Sequence, residues 1–103
     1  MQGDGFVAVL VIDLHFPDAG SLKAKRKQLS SLKAQLQTRL HVAVSETGHQ
    51  DLWQRATLTA AVTAGTIHQL EATADEVERF VLGRCPDGAS VQRLVASVED
   101  LRG

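Results

Sequence analysis

The sequence predicts an α+β domain in which two helices cover one face of a four-stranded antiparallel sheet. Its 103 residues suit one domain with a single core, and a composition of 44% hydrophobic and 22% charged residues is typical of globular chains. Four segments show strand-like alternation or β-branched runs, and two show apolar residues at helical spacing. Their order along the chain is βαββαβ, so we treat residues 1–103 as one domain.

The first strand is predicted over 6–16, "FVAVLVIDLHF", because this run is rich in β-branched residues. Even-numbered positions from Phe6 to Leu14 would form one face of the strand, and odd-numbered positions from Val7 to His15 the other. "PDAG" over 17–20 has turn chemistry. Ser21 can then cap a helix that runs to about Leu40. The apolar stripe of that helix consists of Leu22, Leu29, Leu32, Leu36 and Leu40.

The middle of the chain is predicted to form a hairpin. A short strand over 41–47 is followed by a tight connection over 48–52. A long strand rich in Thr and Ala then runs over 53–64. The hairpin contains the only Trp of the chain, Trp53.

The last third of the chain is predicted to form a helix and a strand. Thr66 and Gln69 have the spacing of a capping box at the start of the second helix, and Gly83 and Pro86 end it. The final strand is predicted over 89–101. The apolar stripe of the second helix consists of Ile67, Leu70, Ala74, Val77 and Val81.

The familiar solution for this element order is the ferredoxin-like βαββαβ sandwich, with strand order 4-1-3-2. In this topology the end of the first strand, the hairpin and the start of the first helix meet at one end of the sheet. We therefore expect a cluster of polar side chains there. Its predicted members are Asp13, His15, Ser21, His49, Gln50 and Asp51.

Charge is distributed unevenly, although the net charge is only −1. The stretch from Ser21 to Ser45 contains no Asp or Glu, whereas the second helix is acidic. A basic helix beside an aromatic residue is typical of RNA contacts, although basic helices are also often simply solvated. The candidate RNA-binding residues are Lys23, Lys25, Arg26, Lys27, Lys33, Trp53 and Arg55.

Short motifs in "IDLHFPDAGSLKAKRKQL" and "VAVSETGHQDLWQRATL" resemble the YlxP-like family, small bacterial proteins classed as a domain of unknown function. The resemblance covers residues 6–82. It implies a ferredoxin-like fold and no established activity. Family genes often neighbour those for a translation initiation factor and a ribosome-binding factor, which implies by association a role in translation or ribosome assembly.

Two alternatives concern chemistry at the polar end. His15 and His49, with Asp13 and Asp51, could hold a divalent metal ion, or the same groups could form a hydrogen-bonded cluster. Ser21 could be drawn into a triad with a His and an Asp, but an N-cap role explains it more simply. Neither a dense ligand motif nor a nucleophile motif occurs, so we expect no cofactor, no metal and no enzymatic activity.

Two further expectations concern packing. Trp53 could plug the end of the sandwich or serve as a stacking platform, and we favour the plug. The sheet face away from the helices would be apolar, which predicts a possible homodimer. The residues assigned to this face are Val7, Val9, Val11, Thr57, Thr59, Val91 and Val95.

The sequence therefore predicts a non-enzymatic bacterial accessory protein associated with RNA or the ribosome. The alternative is a homodimeric module that binds a small ligand or metal at the His15/His49 edge. There is no run of 18 apolar residues, no visible signal peptide and only one cysteine. These features predict a cytoplasmic protein without a membrane span.

Overall fold

A computed structural model describes residues 4–86 and 88–103. The elements are β1 (Phe6–His15), α1 (Leu22–Arg39), β2 (Ala43–Gly48), β3 (Arg55–Ala64), α2 (Ile67–Arg84), β4 (Ala89–Ser97) and α3 (Val98–Leu101). The sheet order is β2-β3-β1-β4, and every neighbouring pair is antiparallel. This is the predicted 4-1-3-2 order read from the opposite edge, so the ferredoxin-like fold is confirmed.

The alternation of side chains along the central strand β1 separates the two faces of the sheet. Ala8, Leu10, Ile12 and Leu14 are buried, whereas the residues between them are only partly covered. The buried face lies under the helices, where α1 packs beside β2 and α2 packs over the other three strands. The opposite face of the sheet is open.

Both long helices begin at the predicted caps. The Ser21 hydroxyl accepts a hydrogen bond from the backbone N–H of Ala24 at 3.1 Å, and the Thr66 hydroxyl accepts one from Gln69 at 3.1 Å. The apolar stripes are shorter than predicted, since Ile67 is 43% exposed at the start of α2. Within the described ranges, neither helix has the length and apolar character that a membrane crossing requires.

The last strand is shorter than predicted. β4 ends at Ser97, and residues Val98–Leu101 form the short helix α3 instead of continuing the strand. The Ser97 hydroxyl accepts from the N–H of Asp100, whose carboxylate accepts from the N–H of Ser97. This reciprocal capping box satisfies the donors that further strand pairing would have used.

The register of β4 corrects the predicted composition of the open face. Val91 pairs with Ile12 and Val95 with Ala8, so both lie on the face that the helices cover. The prediction that they belong to the open face is wrong, because strand parity places Leu94 there, opposite Val9. Val7, Val9, Val11, Thr57 and Thr59 lie on the open face as predicted.

Candidate functional site

The most unusual residue of the helix layer is Lys25, which is 1% exposed on α1. Its ammonium donates a hydrogen bond to the backbone carbonyl of His49 at 2.6 Å and lies 3.7 Å from a carboxylate oxygen of Glu46. Position 25 is four residues before Leu29, so it falls on the apolar stripe. The prediction that Lys25 lies on the RNA-facing surface is wrong, because its charge is used inside the fold.

The loop over 49–54, which joins β2 to β3, is anchored at both ends. His49 adopts a left-handed conformation with φ of 59°, which turns its carbonyl towards the buried ammonium. The side-chain amide of Gln54 donates to the carbonyl of Pro17 at 3.1 Å, and the backbone carbonyl of Gln54 accepts from the N–H of Phe16 at 2.7 Å. The loop is therefore tied both to α1 and to the connection after β1.

This anchored loop presents two large apolar side chains to solvent. Leu52 is 47% exposed and Trp53 is 53% exposed. The favoured prediction that Trp53 plugs the sandwich is wrong, because β3 begins only at Arg55 and Trp53 precedes it in the loop. Neighbouring exposed apolar residues on a fixed backbone are typical of an interaction site.

Five basic side chains of α1 form a surface that is predominantly exposed. We call the group of Lys23, Arg26, Lys27, Lys33 and Arg39 the basic surface. The helix contains no acidic residue. Across the ranges that the structure describes, salt bridges to carboxylates are made by Lys25, Arg93 and Arg102, so the members of the basic surface have no such partner there.

In the acidic helix α2, by contrast, two carboxylates have a cationic partner within the fold. Arg93 on β4 donates to Asp75 at 2.9 Å and to Glu78 at 3.1 Å. Two of the four carboxylates of α2 are thus neutralised within the fold, whereas the cations of the basic surface have no carboxylate partner among the described residues.

The basic surface extends across both flanks of α1. Arg26 and Lys33 line a groove of about 490 Å³ beside β2, together with Glu46 and Gln50. Lys27 instead lines a cleft of about 420 Å³ on the other flank, towards the end of α2. A polyanion that follows α1 can therefore meet cations on either side of the helix.

The six residues predicted to form a polar cluster share one end of the sheet but not one surface. Asp13 accepts a hydrogen bond from the Thr57 hydroxyl at 2.8 Å on the open face. Asp13, His15 and Arg55 line a shallow pocket there. Ser21 caps α1, His49 offers its carbonyl to the buried ammonium, Gln50 lines the groove beside β2, and Asp51 is exposed.

Metal and nucleophilic chemistry gain no support from this arrangement. Over residues 4–86 and 88–103, no three side chains of His, Cys, Asp or Glu come together in a way that could hold a metal ion. The Ser21 hydroxyl is engaged by the helix cap. Burial raises the pKa of the Cys85 thiol, which therefore stays protonated at neutral pH and is a poor nucleophile.

A family model described as "Protein of unknown function (DUF503)" matches residues 7–98. The chain belongs to this family. It is 38% identical over 64 residues to "Uncharacterized protein YlxP" of Bacillus subtilis (strain 168), an alignment that covers 62% of this chain and 70% of that protein. The predicted YlxP-like resemblance is confirmed.

The chain is similar to two designed proteins of known structure. "De novo designed protein Foldit4" has a TM-score of 0.56 at 9% identity, covering 90% of this chain and 97% of its own. "De novo designed protein LFR1 1 with ferredoxin fold" has a TM-score of 0.43 at 17% identity, covering 94% of this chain and 87% of its own. At 9% identity the likeness to Foldit4 shows the fold alone.

We predict that Lys25→Met lowers the free energy of unfolding by about 1.5–3 kcal/mol, because a charged hydrogen bond to the His49 carbonyl is lost at similar side-chain volume. Glu46→Gln should cost less than about 1 kcal/mol, since the ion pair is longer and its carboxylate is partly exposed. Urea unfolding of both variants measures the difference. Equal losses would show that the ion pair, not the carbonyl contact, holds the loop.

Proposed function

We propose that this protein is a non-catalytic bacterial accessory factor that binds single-stranded RNA on the ribosome or its precursors, through the basic surface and the 49–54 loop. The observation that supports this most directly is the basic surface itself. Its cations have no carboxylate partner within the described part of the chain, so an RNA phosphate would not have to displace an internal ion pair.

The length of the basic surface suits a strand of RNA. α1 has 18 residues and is therefore about 27 Å long. Lys23 lies near its start and Arg39 at its end, so the cations follow nearly the whole axis. A single strand lying along the helix would place several successive phosphates within their reach.

The loop adds a contact of a different kind. Trp53 is exposed, and the loop that carries it is held to α1 through His49 and to the connection after β1 through Gln54. A ring on a fixed backbone can stack on an unpaired base with little loss of conformational entropy. Because the first turns of α1 and the loop meet at Lys25, a strand could contact both.

The family resemblance supports a setting in translation. The YlxP-like resemblance implies gene neighbours in translation and ribosome assembly, and RNA is the polyanion that such a factor would meet. We therefore propose that the protein acts in the cytoplasm. Its single cysteine, Cys85, is compatible with a reducing compartment.

We also propose that two copies associate through the open face of the sheet. Val7, Val9 and Val11 are flanked by Leu94 and by small or hydroxyl side chains of β3. This central strip carries no charge, so two copies can meet there without repulsion between like charges.

Replacing Arg26 and Lys33 with Gln should weaken the binding of single-stranded RNA and lower its salt slope by roughly 1.4, because two phosphate contacts are lost. The matched control is Arg79→Gln/Arg102→Gln, which changes net charge equally at exposed residues outside α1. Fluorescence anisotropy at several salt concentrations measures both. Identical slopes for the two double variants would contradict a specific role of α1.

Trp53→Ala should reduce RNA affinity by about 1–3 kcal/mol, because one stacked base is lost. The same change should alter the free energy of unfolding little, since the ring is 53% exposed. Binding titrations and urea unfolding separate the two effects. A large loss of stability with unchanged affinity would contradict the proposed contact.

Val9→Glu should convert a dimer into a folded monomer, because it places a charge in the centre of the open face. Gln69→Glu on α2 adds the same charge at an exposed position and should leave the assembly unchanged. Light scattering gives the mass, and circular dichroism confirms folding. A wild-type monomer at high micromolar concentration would refute the dimer.

A further inference from the structure

The cleft of about 420 Å³ on the second flank of α1 is lined partly by apolar residues, and the role proposed for the basic surface does not account for them. It lies between α1, the connection after β1 and the end of α2. Phe16 and Leu32 line it and are buried, and Pro17 and Pro86 are among its other lining residues. This volume is within the range of small-molecule sites, which combine apolar walls with a few polar groups.

The polar groups of the cleft fall into two kinds. Lys27 and Arg84 supply two cations, which lie on α1 and on the last turn of α2. The guanidinium of Arg84 lies 5.1 Å from the centre of the Phe80 ring, which helps to hold it in place. The neutral groups are the amides of Gln28 and Gln35, the hydroxyl of Ser31 and the thiol of Cys85, and His15 and Asp18 also line the cleft.

We infer that this cleft accepts one unpaired nucleotide. An apolar floor suits a heteroaromatic ring, and the amides of Gln28 and Gln35 can donate to and accept from the polar edge of a base. Lys27 and Arg84 can contact the phosphates beside it. Asp18 offers an acceptor of the kind that a ribose hydroxyl uses.

The position of Lys27 connects the cleft with the proposed RNA path. Lys27 belongs to the basic surface and also lines the cleft, so a strand that follows α1 passes the cleft entrance. The inference rests on the proposed function, and it specifies the RNA further: the bound single strand has one base unstacked from its neighbours. A base that is already unpaired enters such a cleft at least cost.

Ser31→Leu tests the inference, because it fills the cleft without changing charge. The control is Ala72→Leu, which places the same side chain at an exposed position of α2 that lines neither the cleft nor the groove beside β2. We expect Ser31→Leu to weaken the binding of a single-stranded oligonucleotide about tenfold or more, with an unchanged salt slope, because stacking and not phosphate contact is lost. Ala72→Leu should bind like wild type.

A second measurement detects binding in the wild-type cleft directly. Titration with adenosine monophosphate, followed by nuclear magnetic resonance, should shift the side-chain amide signals of Gln28 and Gln35 in the wild type and not in Ser31→Leu. Melting curves confirm that both Leu variants are folded. Gln28→Ala provides an independent variant, which removes polar contacts without adding bulk.

The possible outcomes separate the inference from the proposed function. If the wild type binds RNA through α1 and Ser31→Leu binds equally well, the cleft is not a nucleotide site. If Ala72→Leu weakens binding as much as Ser31→Leu does, the loss is not specific to the cleft and the inference is overturned. If RNA does not bind but the mononucleotide shifts the Gln28 and Gln35 signals, the cleft serves free nucleotides and the RNA proposal fails.

Discussion

A buried ammonium group organises the end of the molecule where α1 and the β2–β3 connection meet. Lys25 could not remain charged within the core without partners, because an unpaired ion in a poorly polarisable interior is strongly disfavoured. The carbonyl of His49 and the carboxylate of Glu46 supply those partners. The conformation of the loop, the first turns of α1 and the end of β2 are consequently interdependent.

That interdependence explains how an exposed aromatic residue can be held in a defined place. The Trp53 side chain itself is not buried, so packing cannot fix it. Its position depends on the contacts of the residues on either side, His49 and Gln54. The buried charge of Lys25 thus helps to fix the loop that carries the exposed Trp53 ring. This ring lies next to α1, whose other cations face outwards.

Most of the fold could be predicted from the sequence because its signals are local. The alternation of β1, the caps at Ser21 and Thr66 and the leucine spacing of α1 each specify an element, and the element order then leaves few topologies. The predictions that were wrong depend on the pairing register of the strands and on contacts between distant parts of the chain. The place of Val95 follows from how β4 pairs with β1, which no local pattern specifies.

The candidate site was harder to predict, and Lys25 shows why. Its residue type led to the prediction of a surface position, whereas its spacing from Leu29 and Leu32 is that of the buried stripe. Spacing was the better guide here, because the loop supplied a partner that only the folded chain brings near. The prediction for Trp53 was wrong in the opposite direction. Its residue type suggested burial, but the strand that would have buried it begins two residues later.

The contacts that hold the loop also determine when it can form. Lys25 and His49 are 24 residues apart in sequence, and Gln54 and Pro17 are 37 apart. No short fragment of the chain contains both members of either pair in their native environment, so the loop has no local route to its structure. The loop should therefore lose its conformation whenever α1 separates from the sheet. A chain emerging from synthesis would acquire this surface only after β3 has docked against β1.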